Sequence, residues 1–168
     1  FWTDGIADGN GSIVGHYPDA VKGTFCETTV TRNGRQSMPL QYSNMDQPYY
    51  SEARRTFDAP QDWTMGAPST LSLYVRGPAD VPATNVPLYV MVEDQAGHSK
   101  VVAHSSPQTA VTTSWQQWRI SLSTFRSAGV DLAAVKKLII GVGNRNNPKP
   151  GGEGKLYIDD IGVGHPAH

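Results

Sequence analysis

The sequence predicts an all-β fold, a two-sheet antiparallel sandwich of jelly-roll type with about ten strands. Three observations predict it. Val, Ile, Leu, Thr and Tyr recur in short runs bounded by turn residues. Gly and Pro are frequent, at 17 and 12 residues, while only 17% of the chain is charged. Long Ala/Leu/Glu/Lys stretches, the mark of helices, are absent. The 168 residues suit one domain, residues 1–168, with a sizeable core; no internal repeat or linker divides them.

Phe1 to Tyr17 is rich in Gly and Asp and reads as turns. Asp8, Asn10 and Ser12 alternate as in a calcium loop, with Asp19 at its twelfth position, but Ile13 stands where that loop needs Gly. A turn or a partial oxygen-donor site is the better reading. Phe25–Thr31 has strand propensity, and the Asn33-Gly34 pair that follows signals a hairpin turn. Ser37–Asn44 is a strand with Met38, Leu40 and Tyr42 on one face. Tyr50–Phe57 is another, of ambiguous parity, because grouping Ala53 with Phe57 brings Arg55 to the same face.

Thr70–Gly77 alternates cleanly, Leu71, Leu73 and Val75 against Ser72, Tyr74 and Arg76. A loop over Asp80–Asn85 leads to Pro87–Glu93, where Leu88, Val90 and Val92 oppose Tyr89, Met91 and Glu93. Lys100–His104 is a short strand after a Gly97 turn, and Gln117–Leu122 sets Trp118, Ile120 and Leu122 against Gln117, Arg119 and Ser121. Thr124–Lys137 keeps no sustained helical face and predicts at most a turn or two of helix. Lys136–Val142 is a strand, Gly143–Gly154 a long loop, and Gly154–Val163 the final strand.

Composition excludes several functions. A net charge of −1 without any basic stripe argues against nucleic acid and anionic membrane as partners. Nothing approaches the roughly 18 apolar residues of a membrane helix. Cys26 is alone, so no intrachain disulfide forms, which is neutral on compartment. The chain opens on Phe1 with no signal peptide and reads as a domain of a longer protein or a processed form. Gly-x-Ser-x-Gly, His-Glu-x-x-His, P-loop and Gly-x-Gly-x-x-Gly motifs are missing. His16, His98, His104, His165 and His168 are scattered. Glu93 and Asp94 are adjacent, hence on opposite strand faces, and form no glycosidase pair. A lyase set of Tyr74, Arg76, Tyr89 and His104 has no identifying spacing.

What remains suits binding. Tyr74 and Tyr89 each stand opposite the core face of a clean strand, beside Arg76, Met91, Glu93, Gln117 and Arg119. If those strands share a sheet, the residues line one broad surface, which Trp115 extends. Aromatic rings pack on the C–H faces of sugars, and Arg, Glu and Gln bond their hydroxyls. Alternatively the tyrosines are covered by loops. In the last strand, Asp159 and Asp160 sit in an apolar run where an unpaired charge is costly. They cap a turn or meet a lysine, or they bind a structural cation, Ca²⁺, against the N-terminal segment, where Asp8 and Asn10 offer oxygens.

The order of these pieces resembles the β-jelly-roll carbohydrate-binding modules attached to bacterial plant-cell-wall glycoside hydrolases. The carrying stretches are Gly34–Leu40, Asp62-Trp63-Thr64 leading into Thr70–Gly77, Trp115–Leu122, Lys137–Val142 and Leu156-Tyr157-Ile158-Asp159-Asp160-Ile161. The resemblance implies a non-catalytic, secreted module fused to a hydrolase. It implies a β-glucan-type polysaccharide ligand (β-1,4-glucan, as in cellulose, or xyloglucan) and a structural Ca²⁺ on an Asp of the closing strand. It leaves Asp4, Asp8 and Glu27 as candidates to complete that metal site. A jelly-roll lyase or hydrolase and a cell-surface adhesion sandwich are the alternatives.

Overall fold

The computed structural model describes residues 1–6, 8–15, 26–78, 87–106 and 112–165. The expected loop at Asp80–Asn85, and Asp19, His16, Phe25 and His168, lie outside them. Ten strands form two antiparallel sheets: β1 (Trp2–Thr3), β2 (Ser12–Val14), β3 (Met38–Ser43), β4 (Tyr50–Gln61), β5 (Thr70–Arg76), β6 (Leu88–Asp94), β7 (Ser99–Ala103), β8 (Gln116–Ser121), β9 (Val135–Gly143) and β10 (Glu153–Gly164). The first sheet has the order β1-β4-β9-β6-β7, the second β2-β3-β10-β5-β8. The predicted sandwich is the observed one.

The core lies between the sheets and follows the alternation in the sequence. Leu71, Leu73 and Val75 of β5 meet Leu88, Val90 and Val92 of β6, Leu138, Ile140 and Val142 of β9, and Leu156 and Ile158 of β10 in one apolar cluster. Burying each such side chain contributes about 1.5–3 kcal/mol. Trp118 belongs to this core, with His104 edge-on to its ring at 4.8 Å. Trp63 packs on the core's margin, edge-on to Phe57.

Two local expectations are corrected and one open point is settled. Phe25–Thr31 is no regular strand over its described part; it holds bends and a single antiparallel bridge, Glu27 to Ser37, across the Gly34 turn. The Thr29 and Val30 backbone N–H groups donate to the Glu27 carboxylate in place of ladder bonds, as described below. Two strands arise instead in the Gly/Asp-rich opening, because β4 and β3 supply the partners: Trp2 lies opposite Arg55 and Val14 opposite Leu40. The parity of β4 is settled by its pairing, which sets Ala53 opposite the core residue Ile140. Arg55 shares that side only at the margin, where its guanidinium lies 5.2 Å from the Phe57 ring centre.

The helix is one short element, α1 (Leu122–Arg126), capped by the Ser121 side chain, which accepts the Ser123 N–H. Its two apolar residues, Leu122 and Phe125, point into the core. Beyond it, Asp94 ties two loops together. Its buried carboxylate accepts the N–H groups of His98 and Asp131, both at 2.9 Å, and meets His98 Nδ1 at 3.0 Å. Burial alone would raise its pKa, but the Asp131 and His98 donors outweigh burial and hold it below the ordinary 3.8. A depressed carboxyl pKa gives stability that is present above the unfolded value and is lost as pH falls through the folded one. Asp94→Asn is therefore expected to melt below the parent protein at neutral pH, with the gap closing under acid below about pH 4. Thermal melts at a series of pH values read this, and a gap independent of pH would reject the role given to the charge.

Candidate functional site

The two clean alternating strands belong to different sheets, β5 to the second and β6 to the first. Tyr74 and Tyr89 therefore stand on opposite outer faces of the sandwich, and the single surface expected from the sequence divides in two. Tyr74, Arg76, Gln117 and Arg119 stay together on adjacent strands, with Tyr74 opposite Gln117 and Ser72 opposite Arg119. Tyr89, Met91 and Glu93 stand on the other side of the molecule. Trp115 precedes β8, half-buried, its indole N–H without a protein acceptor.

The outer face of the first sheet is recessed. Tyr89 is 1% exposed, Ile139 2% and Met91 5%, although none of the three belongs to the inter-sheet core cluster. Cross-strand register arranges this face in rows: Tyr50 with Gly143, then Glu52, Gly141, Tyr89 and Ala103, then Arg54, Ile139, Met91 and Val101, then Thr56, Lys137, Glu93 and Ser99. The central strand, β9, contributes Gly141 and Gly143, so at those two positions its outer surface is cut down to backbone. The Tyr89 ring fills part of the cut: a Cβ on Gly141 would lie 2.1 Å from Tyr89 Cζ.

A buried polar cluster closes one end of this hollow. The Tyr89 hydroxyl donates to Glu52 Oε1 at 2.6 Å. Arg145 Nη1 reaches both Glu52 oxygens at 2.5 Å, and its guanidinium lies 5.4 Å from the Tyr50 ring centre. Burial first, and then the negative charge of Glu52, push the Tyr89 phenol pKa far up, so it remains a donor throughout the working pH range. Arg145 thereby pins the β9–β10 loop above the sheet.

Between that loop and the strands lies a pocket of about 280 Å³. Pro87, Tyr89, Val101 and Ala103 form one wall, and Asn144, Arg145, Asn146 and Asn147 the other. Asn144 spends its side-chain oxygen on the Asn146 and Asn147 N–H groups, shaping the turn. A neighbouring pocket shares Pro87, Gly143, Asn144 and Asn147 and adds Tyr49, Asn44 and Lys149. Tyr49 has φ +62°, a strained setting for a bulky residue that the turn imposes. Glu93 is engaged differently, in an ion pair with Lys137 at 2.6 Å.

On the opposite side, the Tyr74 ring carries the Arg32 guanidinium 3.5 Å from its centre. Asp159 Oδ2 accepts the Arg32 N–H at 2.8 Å and the Asn33 N–H at 3.4 Å, and Asp160 Oδ2 accepts from the Arg32 and Asn33 side chains. The two carboxylates hold the Arg32–Asn33 turn against β10, which bulges here with Asp160 at φ +48°. Glu27 grips the preceding stretch: its Oε1 accepts from the Thr29 hydroxyl and N–H, both at 2.5 Å, and from the Val30 N–H. Burial acts upward on its pKa, but these donors prevail and hold it at about 2.

The four residues expected to share a cation are not gathered. Asp8 pairs with Arg54 at 3.0 Å, and Asn10 Oδ1 accepts the Ser12 and Glu52 N–H groups, beside the first sheet. Asp159 and Asp160 serve the second. Among the described residues, no three His, Cys, Asp or Glu side chains converge on a metal position. Donor chemistry at the Asp159–Asp160 end is hard oxygen, which suits calcium over softer metals, yet protein N–H groups occupy it. As a set, the four do not fit one metal centre.

Comparison with known proteins agrees with this architecture. The sequence matches the family described as carbohydrate binding domain 30 over residues 9–164. Among solved structures, a family 30 carbohydrate-binding module is similar with a TM-score of 0.57 and 18% identity, covering 83% of this chain and 72% of the other. The family 30 module of a cellulosomal cellulase of Clostridium thermocellum is similar with a TM-score of 0.56 and 16% identity, covering 85% of this chain and 82% of that one. An exo-β-agarase is similar with a TM-score of 0.59 and 13% identity over 82% of this chain, which spans only 22% of the agarase. No curated protein matches the sequence.

Proposed function

The chain belongs to the carbohydrate binding domain 30 family, whose members are non-catalytic binding modules, and on that premise we propose that it binds a β-glucan-type polysaccharide, β-1,4-glucan or xyloglucan, in the hollow of the first sheet. The observation that carries this reading is the lining of the pocket under the β9–β10 loop. An apolar wall of Pro87, Val101 and Ala103 faces an amide-rich wall of Asn144, Asn146 and Asn147. A pyranose ring has the same two-sided character, C–H groups on its faces and hydroxyls at its rim. Neutral amides on the rim suit a neutral sugar.

Attached to a glycoside hydrolase outside the cell, such a module raises the effective concentration of polysaccharide at the enzyme. Electrophoresis in gels containing soluble β-glucan tests the reading. Retardation is expected, and Asn146→Ala with Asn147→Ala should weaken it by about fivefold for each hydrogen bond lost. Absence of retardation by any neutral glucan would reject it in favour of a protein-binding adhesion domain.

Calcium enters this reading only by exchange, since it must displace Arg32 and Asn33 from Asp159 and Asp160. Binding to the folded state alone stabilises by mass action. A chelator should then lower the melting temperature, and Asp159→Ala should reproduce the loss. A melting temperature indifferent to chelator and to added calcium rejects the ion and leaves the sugar reading intact.

A further inference from the structure

The sandwich has a second outer face whose chemistry differs from that of the hollow. Register places Tyr157 opposite Arg76, Asp159 opposite Tyr74, Tyr74 opposite Gln117, and Ser72 opposite Arg119. Arg119 and Gln117 are exposed, and Arg76 and Tyr157 are half-buried. None of the ion pairs among the described residues uses Arg76 or Arg119. The Arg76 Nε is buried with no acceptor. Lys155, two residues before Tyr157 on the same face, is likewise outside every ion pair among those residues.

The carboxylates on this face do not neutralise these cations. Asp159 and Asp160 are committed to the Arg32–Asn33 turn. Arg32 in turn roofs one face of the Tyr74 ring, so Tyr74 is held as part of the wall. What remains is a row in which the exposed Arg119 and Gln117 stand beside the half-buried Arg76. Arg is the side chain best fitted to bind a carboxylate in two-pronged fashion. Nucleic acid fits poorly, because the acidic residues of β10 stand in the same patch and no basic run follows a phosphate spacing.

We infer that this face is a second saccharide site, for a polysaccharide bearing uronate carboxylates. Arg76 and Arg119 hold carboxylates at its two ends and Gln117 bonds hydroxyls between them. The Arg76 and Ser72–Arg119 rows are four residues apart along β5, about 13 Å. A polymer lying along the strand meets both arginines, and a single uronic acid meets only one. The two sites lie on opposite faces, so this inference stands apart from the proposed glucan site.

Affinity electrophoresis of the whole chain in gels containing sodium polygalacturonate or alginate tests it. Retardation is expected with at least one of them, falling steeply between low and high salt. It should weaken about tenfold for each arginine replaced in Arg76→Gln and Arg119→Gln. Carboxyl-reduced polygalacturonate and monomeric galacturonate should not bind measurably. Arg119 is exposed, and a melting curve of each variant checks that it remains folded. Glucan retention should be unchanged in both. Three results would overturn the inference: no retardation by either polyuronate, undiminished retardation of the double variant, or loss of polyuronate binding in the Asn146→Ala, Asn147→Ala variant instead.

Discussion

Replacing Arg145 with alanine is expected to destabilise the domain by about 3 kcal/mol and to abolish its retention by soluble β-glucan. Glu52 is the reason for the first effect. Its side chain is 2% exposed, against 34% for Arg145. Truncating the arginine strands a carboxylate at the floor of the hollow, with only the Tyr89 hydroxyl left as a side-chain donor. Breaking a buried pair costs more than the pair itself contributes, because the remaining charge must be desolvated alone. The arginine's own exposure puts the effect toward the low end of the usual range.

The second effect follows from position. Arg145 ties the first part of the β9–β10 loop to the sheet, while Gly151 and Gly152 bond Asn44 at its far end, and the part held by Arg145 supplies the amide wall of the pocket. A double variant separates the two. Glu52→Gln with Arg145→Ala should recover part of the stability and none of the glucan binding. Denaturant melts and affinity gels read both, and a single Arg145 variant that melts within 1 kcal/mol of the parent would show that the loop is anchored otherwise.

Gly141→Ala carries the other large effect, at least about 3 kcal/mol. The added Cβ would sit 2.1 Å from Tyr89 Cζ and 2.5 Å from its hydroxyl oxygen. The tyrosine is fully buried and tied to Glu52, so it has no free rotamer into which to retreat. Either the ring leaves its seat and the phenol loses its acceptor, or β9 and β6 separate, and glucan binding falls with the hollow in both cases. Gly162→Ala is the control, since nothing lies within 4 Å of a Cβ there. It should melt within about 0.5 kcal/mol of the parent.

The sandwich was legible wherever one strand face is buried. In β5 and β6 the two-residue period alone separates Leu71, Leu73, Val75, Leu88, Val90 and Val92 from their neighbours, and all six lie in the core. The same alternation was misleading for the far side of β6. A residue opposite the core is expected to be open, yet Tyr89 is covered by groups distant in sequence, Glu52 and Arg145, and seated in a space made by Gly141. Period-2 patterning says which way a side chain points and nothing about what the rest of the chain lays over it. Gly141-Val142-Gly143, two glycines on one face of an otherwise branched apolar strand, was the available signal for a hollow. Tyr74 has a similar history. Its partner Arg32 comes from a turn whose anchor is β10, more than a hundred residues on. Strands β1 and β2 escaped notice because their two and three residues have weak propensity and form only where β4 and β3 offer an edge.

The place of β10 in the second sheet has a consequence for how the chain folds. It is the last of the described strands in chain order, yet it lies between β3 and β5 and pairs with both. Until β10 has been made, the second sheet is two separate ribbons, β2-β3 and β5-β8, each with an unpaired edge. Closing it joins Leu156 to Leu40 and Ile158 to Val75, pairings of long sequence separation that slow folding. A chain lacking Glu153–Gly164 would be left without the seam of its second sheet, with the β3 and β5 edges open to pairing between chains.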